Sequence, residues 1–189
     1  MAYPALENEY FTIEDYLALS ESAEISYEYE HGKIVAMGSS SKVHNRLIRN
    51  TSNILFQATD KKNCEVFSES IKLEVEKDGV YYLPDVVLSC DHRDKADPQI
   101  IRFPSLIIEV LSPGSEKRDR GKKFHAYLKI PSLVYYILVS QNQLKVEVFT
   151  KINSGGWRYQ IYDEIDQFVS LTQLEFELRI AEIYSGIGL

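Results

Sequence analysis

The segment at residues 106–111 (LIIEVL) is the most apolar run of this 189-residue chain, and a single acidic residue, Glu109, interrupts it. A short continuous apolar run is typical of a strand covered on both faces, so it predicts a central position in a β-sheet. A lone carboxylate in such a strand is costly to bury unless it is paired or binds a metal. Strand alternation also allows a second interpretation, in which Glu109 lies on a solvated face.

A second carboxylate, Asp85, lies 24 positions earlier, directly after Pro84 and before another apolar run. Residues 81–88 predict one continuous strand of the sheet. Two neighbouring strands would then present two carboxylates at one end of that sheet. Hard cations such as Mg²⁺ prefer oxygen ligands of this kind, usually one or two carboxylates plus waters and a substrate phosphate. The pair favours a functional role for Glu109.

Periodicity along the rest of the chain predicts one α/β (α+β) domain over residues 1–189, with a mixed β-sheet flanked by helices. Helices are expected after a Thr12 cap, from a cap at Ser39, Ser40 or Ser41 to about residue 59, from about 116 to 129, and from near Ile180. Tight turns are expected at His31-Gly32 and Gly155-Gly156. The buried stripe of the second helix is expected at Val43, Leu47, Ile54, Leu55 and Ala58.

The helix after residue 115 is strongly basic, with five Lys or Arg residues among the seven of residues 117–123. In a helix, Asp119, Lys123 and Tyr127 fall on one face at a spacing of four. A solvated charged face is one interpretation of such a run. The other is that a lysine near the Glu109 strand orients an attacking water or stabilises charge that develops on a phosphate.

Composition and charge exclude several classes of protein. The 28 acidic residues outnumber the 21 basic ones and leave a net charge of −7, which argues against non-specific coating of nucleic acid. No apolar run approaches the roughly 20 residues of a membrane span, and the first residues do not resemble a signal peptide. Cys64 and Cys90 are expected to be reduced, partly buried thiols. A cytoplasmic location without membrane association is therefore expected.

Several of these residues together resemble one known family. The matching features, in chain order, are Tyr27-Glu28, His31-Gly32, His44, Pro84-Asp85, Glu109 to Pro113, Asp119, Lys123, Tyr127 and Tyr135-Tyr136. In this order they resemble the Uma family of bacterial restriction-endonuclease-like proteins, within the PD-(D/E)XK nuclease superfamily. The resemblance runs from about Phe11 to Ile183. It implies a mixed sheet flanked by helices, with metal-binding acids on adjoining strands.

The resemblance also implies roles for individual residues. Asp85 and Glu109 match the two acids that bind Mg²⁺ or Mn²⁺. The usual lysine two residues after the second acid is replaced here by Leu111, so either its function has moved to Lys123, with Lys122 as second candidate, or the site is degenerate.

Other positions are assigned with less detail. Glu28 is expected to complete the metal shell, although Glu30 is close enough to compete. His44 matches a family position, where a structural role is at least as plausible as a functional one.

The expected activity is metal-dependent hydrolysis of phosphodiester bonds in DNA. DNA contacts are expected from Lys117, Arg118, Arg120 and His44. The alternative is a catalytically degenerate nuclease fold that binds DNA or another protein. A glycosidase-like pair of carboxylates is a third, weaker interpretation, because the basic helix favours a phosphate substrate. An exposed sheet edge at residues 144–149 predicts a homodimer.

Overall fold

The computed structural model describes residues 10–188. The helices are α1 (Ile13–Ser22), α2 (Lys42–Thr59), α3 (Glu116–Arg118), α4 (Phe124–Tyr127) and α5 (Ile180–Ile183). A π-helical turn (Asp119–Lys123) joins α3 to α4, and the three together are called the basic helix below. No helix within the described residues is long and apolar enough to cross a membrane.

Most strands belong to two sheets. The strands are β1 (Tyr27–Glu30), β2 (Lys33–Ala36), β3 (Glu65–Ser68), β4 (Lys72–Glu76), β5 (Val80–Tyr82), β6 (Val86–Ser89), β7 (Ile100–Ile101), β8 (Pro104–Leu111), β9 (Tyr135–Ser140), β10 (Val146–Lys151), β11 (Trp157–Tyr162), β12 (Phe168–Leu171) and β13 (Phe176–Arg179). The larger sheet has the order β11-β10-β9-β8-β6-β3 and the smaller one β2-β1-β5-β4-β7, while β12 and β13 form a hairpin.

The apolar run around Glu109 occupies the predicted central position. Strand β8 pairs antiparallel with β6 and parallel with β9, so the larger sheet is mixed as expected. Its two faces enter different cores. Leu106, Ile108 and Val110 pack with residues of α2, whereas Ile107 and Leu111 pack with residues of the basic helix. Glu109 alternates with the second set and therefore points to the side of the basic helix.

The strand predicted over residues 81–88 is wrong, because the chain breaks between β5 and β6 and passes from the smaller sheet to the larger one. Pro84 lies in the break and has no N–H to donate to a strand ladder. The amides on either side of it are bound by carboxylates instead. Leu83 N donates to Glu28 Oε1 (2.9 Å) and Asp85 N donates to Glu109 Oε2 (3.3 Å). Glu28 and Glu109 therefore both lie at the junction of the two sheets.

Helix α2 begins where it was expected, because the Ser41 side chain caps it by accepting a hydrogen bond from His44 N (3.0 Å). The predicted stripe was partly wrong. Val43 is exposed, and the face that packs on the larger sheet carries His44 and polar Thr51 beside Leu47 and Leu55. The structure thus brings a histidine into a face that was expected to be apolar.

The basic helix is shorter than predicted and is not a regular α-helix. Phe124 N donates to the carbonyl of Asp119, five residues back, which widens one turn. The helix ends at Tyr127, ahead of Pro131. Asp119, Lys123 and Tyr127 nevertheless share one buried face, as their spacing predicted.

The predicted sheet edge was also wrong. Strand β10, which contains most of residues 144–149, is paired on both sides, with β9 and with β11. The edges of the larger sheet are β3 and β11, and on β11 Tyr159 and Ile161 are exposed. A hairpin whose second strand lies outermost leaves that strand, and not the first, with unpaired backbone groups.

The two cysteines form a disulfide bond, in contrast to the reduced thiols expected from the sequence. Strands β3 and β6 pair antiparallel with Glu65 opposite Ser89. Cys64 and Cys90, the next residues outward, therefore face each other with Cα atoms 4.0 Å apart. Strand register brings the sulfurs together across a sequence separation of 26 residues, which composition alone did not indicate.

Candidate active site at the junction of the two sheets

Asp85 and Glu109 are held together by two side chain–backbone hydrogen bonds, one to Asp85 itself and one to Val110, the residue after Glu109. Glu109 Oε2 accepts from Asp85 N (3.3 Å), and Asp85 Oδ2 accepts from Val110 N (2.7 Å). Glu109 is only 2% exposed. The Asp85 side chain retains 20% exposure, so solvent reaches this pair from the Asp85 side. The structure thus brings together the two acids that the sequence predicted to meet.

The buried ammonium of Lys123 lies among three carboxylates. Its Nζ is 2.9 Å from Glu109 Oε1, 3.0 Å from Glu28 Oε1 and 3.8 Å from Asp119 Oδ1. Burial by itself would lower the pKa of Lys123, but the surrounding carboxylates, Glu109 and Glu28 above all, outweigh it and raise that pKa. The ammonium therefore stays charged although it is buried.

Glu109 is strongly perturbed by its surroundings. Burial raises the pKa of Glu109 well above its ordinary value, and the positive charge of Lys123 opposes that shift. The Tyr127 hydroxyl donates a second hydrogen bond to Glu109 Oε1 (2.8 Å). The side chain two residues on, Leu111, is buried in an apolar cluster with Tyr127 and Tyr136. The position at which the sequence resemblance implied a lysine is therefore apolar here, and Lys123 supplies the nearby charge.

Glu28 and Glu30 contact different lysines. Glu28 is fully buried, with Oε1 bound to Leu83 N and Lys123 and Oε2 2.6 Å from Arg118 Nη1. Glu30 lies outside the cluster and binds the exposed Lys122 (3.1 Å). Lys122 is therefore separated from Glu109, and Glu28 is committed to cationic partners.

Asp119 belongs to the cluster but was not among the predicted site residues. It is buried, and its Oδ2 has no hydrogen-bond partner within the described residues. Burial raises the pKa of Asp119, while Lys123 and the Ser115 hydroxyl oppose the shift. Its spacing of four from Lys123 was the available signal, and that spacing identified the shared face without assigning Asp119 a role.

His44 approaches the acid pair from the opposite face of the larger sheet. Its Nε2 is 3.4 Å from Asp85 Oδ2. Burial by itself would lower the pKa of His44, but the Asp85 carboxylate outweighs it and raises that pKa. Asp85 is thus contacted by His44 on one side and connected to Glu109 on the other.

Acidic side chains outnumber basic ones in the cluster. Its titratable side chains are Glu28, Asp85, Glu109, Asp119, Arg118 and Lys123. Burial raises the pKa values of Glu109 and Asp119, and a bound cation would favour their ionised forms. Within residues 10–188, no three His, Cys, Asp or Glu side chains are already placed to hold a metal ion. The donor set fits a cation that Asp85 and Glu109 bind with water, the arrangement usual for Mg²⁺.

The basic helix does not present its whole charge to solvent. Arg118 is bound to Glu28, and Arg120 is bound to Glu116 and to the buried Glu147. Lys117 is exposed, as is Lys122. Four residues were predicted to contact DNA, and only Lys117 projects into solvent. Arg118, Arg120 and His44 each have an acidic partner inside the protein.

The mixed larger sheet, the helices on its two faces and the acids at the strand ends define a restriction-endonuclease-like α/β fold. The chain belongs to the Uma2 family, described as "Putative restriction endonuclease", whose model matches residues 13–181. The predicted family and fold class are therefore confirmed.

Individual proteins are similar over most of their length. Two uncharacterized proteins of Synechocystis sp. are similar to the chain: slr1290, 33% identical over 93% of this chain and 92% of its own, and sll1609, 31% identical over 77% and 84%. The crystal structure of a putative nuclease belonging to DUF820 from Anabaena variabilis superposes with a TM-score of 0.75 and 19% identity. It covers 93% of this chain and 98% of its own. This last likeness shows a shared fold.

Proposed function

We propose that this protein is a metal-dependent endonuclease that hydrolyses phosphodiester bonds in DNA, with the chain acting as one nuclease domain. The observation that carries the proposal is the pair Asp85 and Glu109, connected by backbone hydrogen bonds, beside the buried ammonium of Lys123. Asp85 and Glu109 would hold Mg²⁺ or Mn²⁺. When bound, such an ion polarises a phosphoryl oxygen and lowers the pKa of a water molecule.

The chain's own side chains have distinct parts in this proposal. Lys123 and Tyr127 both donate to Glu109 Oε1, so they fix the orientation of that carboxylate and leave Oε2 facing Asp85. Because its pKa is raised, Lys123 remains charged and offsets negative charge near the phosphate. Lys117 is exposed at the start of the basic helix, where it can contact a neighbouring phosphate. The net charge of −7 predicts weak, salt-sensitive DNA affinity.

A cleavage assay tests the proposal. Supercoiled, linear and single-stranded DNA are incubated with Mg²⁺ or Mn²⁺ and with the wild type, Asp85→Asn or Glu109→Gln. Glu30→Gln is the matched control, because Glu30 is a nearby acid that lies outside the cluster. We expect both site variants to lose cleavage and the control to retain it. Equal cleavage by all four proteins contradicts the assignment.

A second candidate function is a non-catalytic DNA-binding or protein-interaction module. Two observations favour it: Leu111 is buried where related nucleases have a lysine, and Arg118 is engaged inside the protein. Calorimetry with Mn²⁺ separates the candidates. A nuclease requires binding that Asp85→Asn removes, whereas a degenerate module shows no such binding and no cleavage.

We further propose that two copies pair along β11, in place of the edge predicted at residues 144–149. This strand is the outermost of its sheet, contains neither Pro nor Gly, and exposes Tyr159 and Ile161. An exposed edge of this length favours pairing with another strand, and the identical strand of a second copy is the simplest partner.

A further inference from the structure

The imidazole of His44 is buried, and its contact with Asp85 is long for a hydrogen bond. Its side chain is only 10% exposed, and its Nδ1 has no partner within the described residues. Nε2 is 3.4 Å from Asp85 Oδ2, longer than the usual N–H···O distance of about 2.9–3.0 Å. The contact between Nε2 and Asp85 Oδ2 is therefore loose for two buried polar atoms, and a cation held between them would account for the distance.

The position of His44 suggests what this ion would contact. The basic-helix side of the acid pair is filled, because Lys123 and Tyr127 occupy Glu109 Oε1. Helix α2 carries His44, whose imidazole contacts Asp85, the acid of the pair that remains partly exposed. The imidazole therefore lies against the carboxylate that solvent reaches.

The distance between His44 and Asp85 suits two ligands of one cation. Two ligand atoms that each lie about 2.1 Å from a metal, at a right angle, are about 3.0 Å apart. The observed 3.4 Å between Nε2 and Oδ2 needs an adjustment of only a few tenths of an ångström. Glu28 is less suited to this position, since its oxygens are bound to Arg118, Lys123 and Leu83 N.

We infer that His44 is a direct ligand of the divalent cation held by Asp85, in the position that the sequence assigned to Glu28. This inference rests on the proposed metal-dependent function. A nitrogen ligand also narrows the identity of the ion. Imidazole suits transition metals, whereas Mg²⁺ prefers oxygen, so the site favours Mn²⁺ or Co²⁺ over Mg²⁺. Because three ligands are not assembled beforehand, at least one of these side chains has to shift when the cation binds.

The direct test is pulsed electron paramagnetic resonance of the wild-type protein loaded with Mn²⁺ alone. A coordinated imidazole gives a ¹⁴N modulation that carboxylate and water ligands do not. Titration calorimetry with Mn²⁺ and with Mg²⁺ then compares the wild type with His44→Ala. His92→Ala is the control, because that imidazole is 83% exposed and outside the cluster. We expect ¹⁴N coupling in the wild type and a Mn²⁺ Kd about tenfold or more higher in His44→Ala alone, with a smaller change for Mg²⁺.

The possible failures are distinguishable. Mn²⁺ binding without ¹⁴N coupling overturns the role of His44 and leaves the proposed function standing. Equal Mn²⁺ affinity in the wild type and His44→Ala has the same meaning. If the wild type binds no Mn²⁺ at all, the metal-dependent function and the inference both fall. If His44→Ala does not fold, the wild-type resonance experiment still tests the inference, because bound Mn²⁺ without ¹⁴N coupling overturns it.

Discussion

Replacing Lys123 by Met should destabilise the protein far more than any ordinary lysine substitution. The ammonium is 2.9–3.8 Å from three carboxylates, and its side chain is only 3% exposed. Methionine keeps the volume of the side chain but leaves those buried acids without their shared cation. Removing one partner of a buried ion pair costs about 3–5 kcal/mol in the free energy of unfolding. We expect Lys123→Met to lie in that range.

The matched control is Lys122→Met, one residue away. Lys122 is 69% exposed and pairs with Glu30 at the surface, where such pairs contribute about 0–1 kcal/mol. Urea unfolding followed by far-UV circular dichroism, in buffer with a metal chelator, measures both variants. Adding Glu109→Gln to Lys123→Met should cost less than the sum of the single changes, because the two side chains share one interaction.

The pH dependence of the Lys123→Met deficit follows from the pKa shifts. Burial already raises the pKa values of Glu109 and Asp119, and Lys123 opposes both shifts, so its removal raises them further. A carboxyl whose pKa is higher in the folded than in the unfolded state binds more protons when folded. Stability then falls as pH rises above the unfolded pKa. The deficit should be larger at about pH 8 than at about pH 5. A deficit equal to that of Lys122→Met at both pH values refutes the reasoning.

Three further predictions concern the rest of the fold. Reduction of the Cys64–Cys90 disulfide should lower the free energy of unfolding by about 3 kcal/mol, since it frees a loop of 26 residues. Thiol titration of the untreated protein checks that the bond is present. Ser41→Ala should cost about 1 kcal/mol, measured by urea unfolding, because His44 N loses its capping acceptor. Ile161→Lys should convert a dimer to a monomer in light scattering after size exclusion, and a mass unaffected by the substitution argues against pairing through β11.

Much of the site was predictable because local sequence carried it. Glu109 was recognisable as a candidate site residue because it is the one acid in an apolar strand. Asp85 was recognisable because it follows Pro84 and precedes another apolar run. The spacing of Asp119, Lys123 and Tyr127 placed these side chains on one face even though the helix contains a π turn, because one extra residue in a turn does not move them off the buried side.

Choices between neighbouring residues were harder. Glu28 and Glu30 both alternate to the same side of β1, so the strand period cannot separate them. Only the depth of each side chain against the basic helix makes Glu28 a buried partner of Lys123 and Glu30 a surface partner of Lys122. The unsatisfied imidazole of His44 was equally invisible, since hydrogen-bond satisfaction depends on residues distant in the chain.

Local sequence was enough to predict the central strand, the main helices and the hairpins, because hydrophobic period, caps and turns act over a few residues. Long-range packing sets the register that brings Asp85 to Glu109, the crossing between the sheets at Pro84, the choice of which lysine and glutamate are buried, and the pairing of Cys64 with Cys90. These features depend on the register and packing of segments far apart in the chain. The free energy of each such contact depends on which distant residue is its partner, and local sequence does not specify that residue.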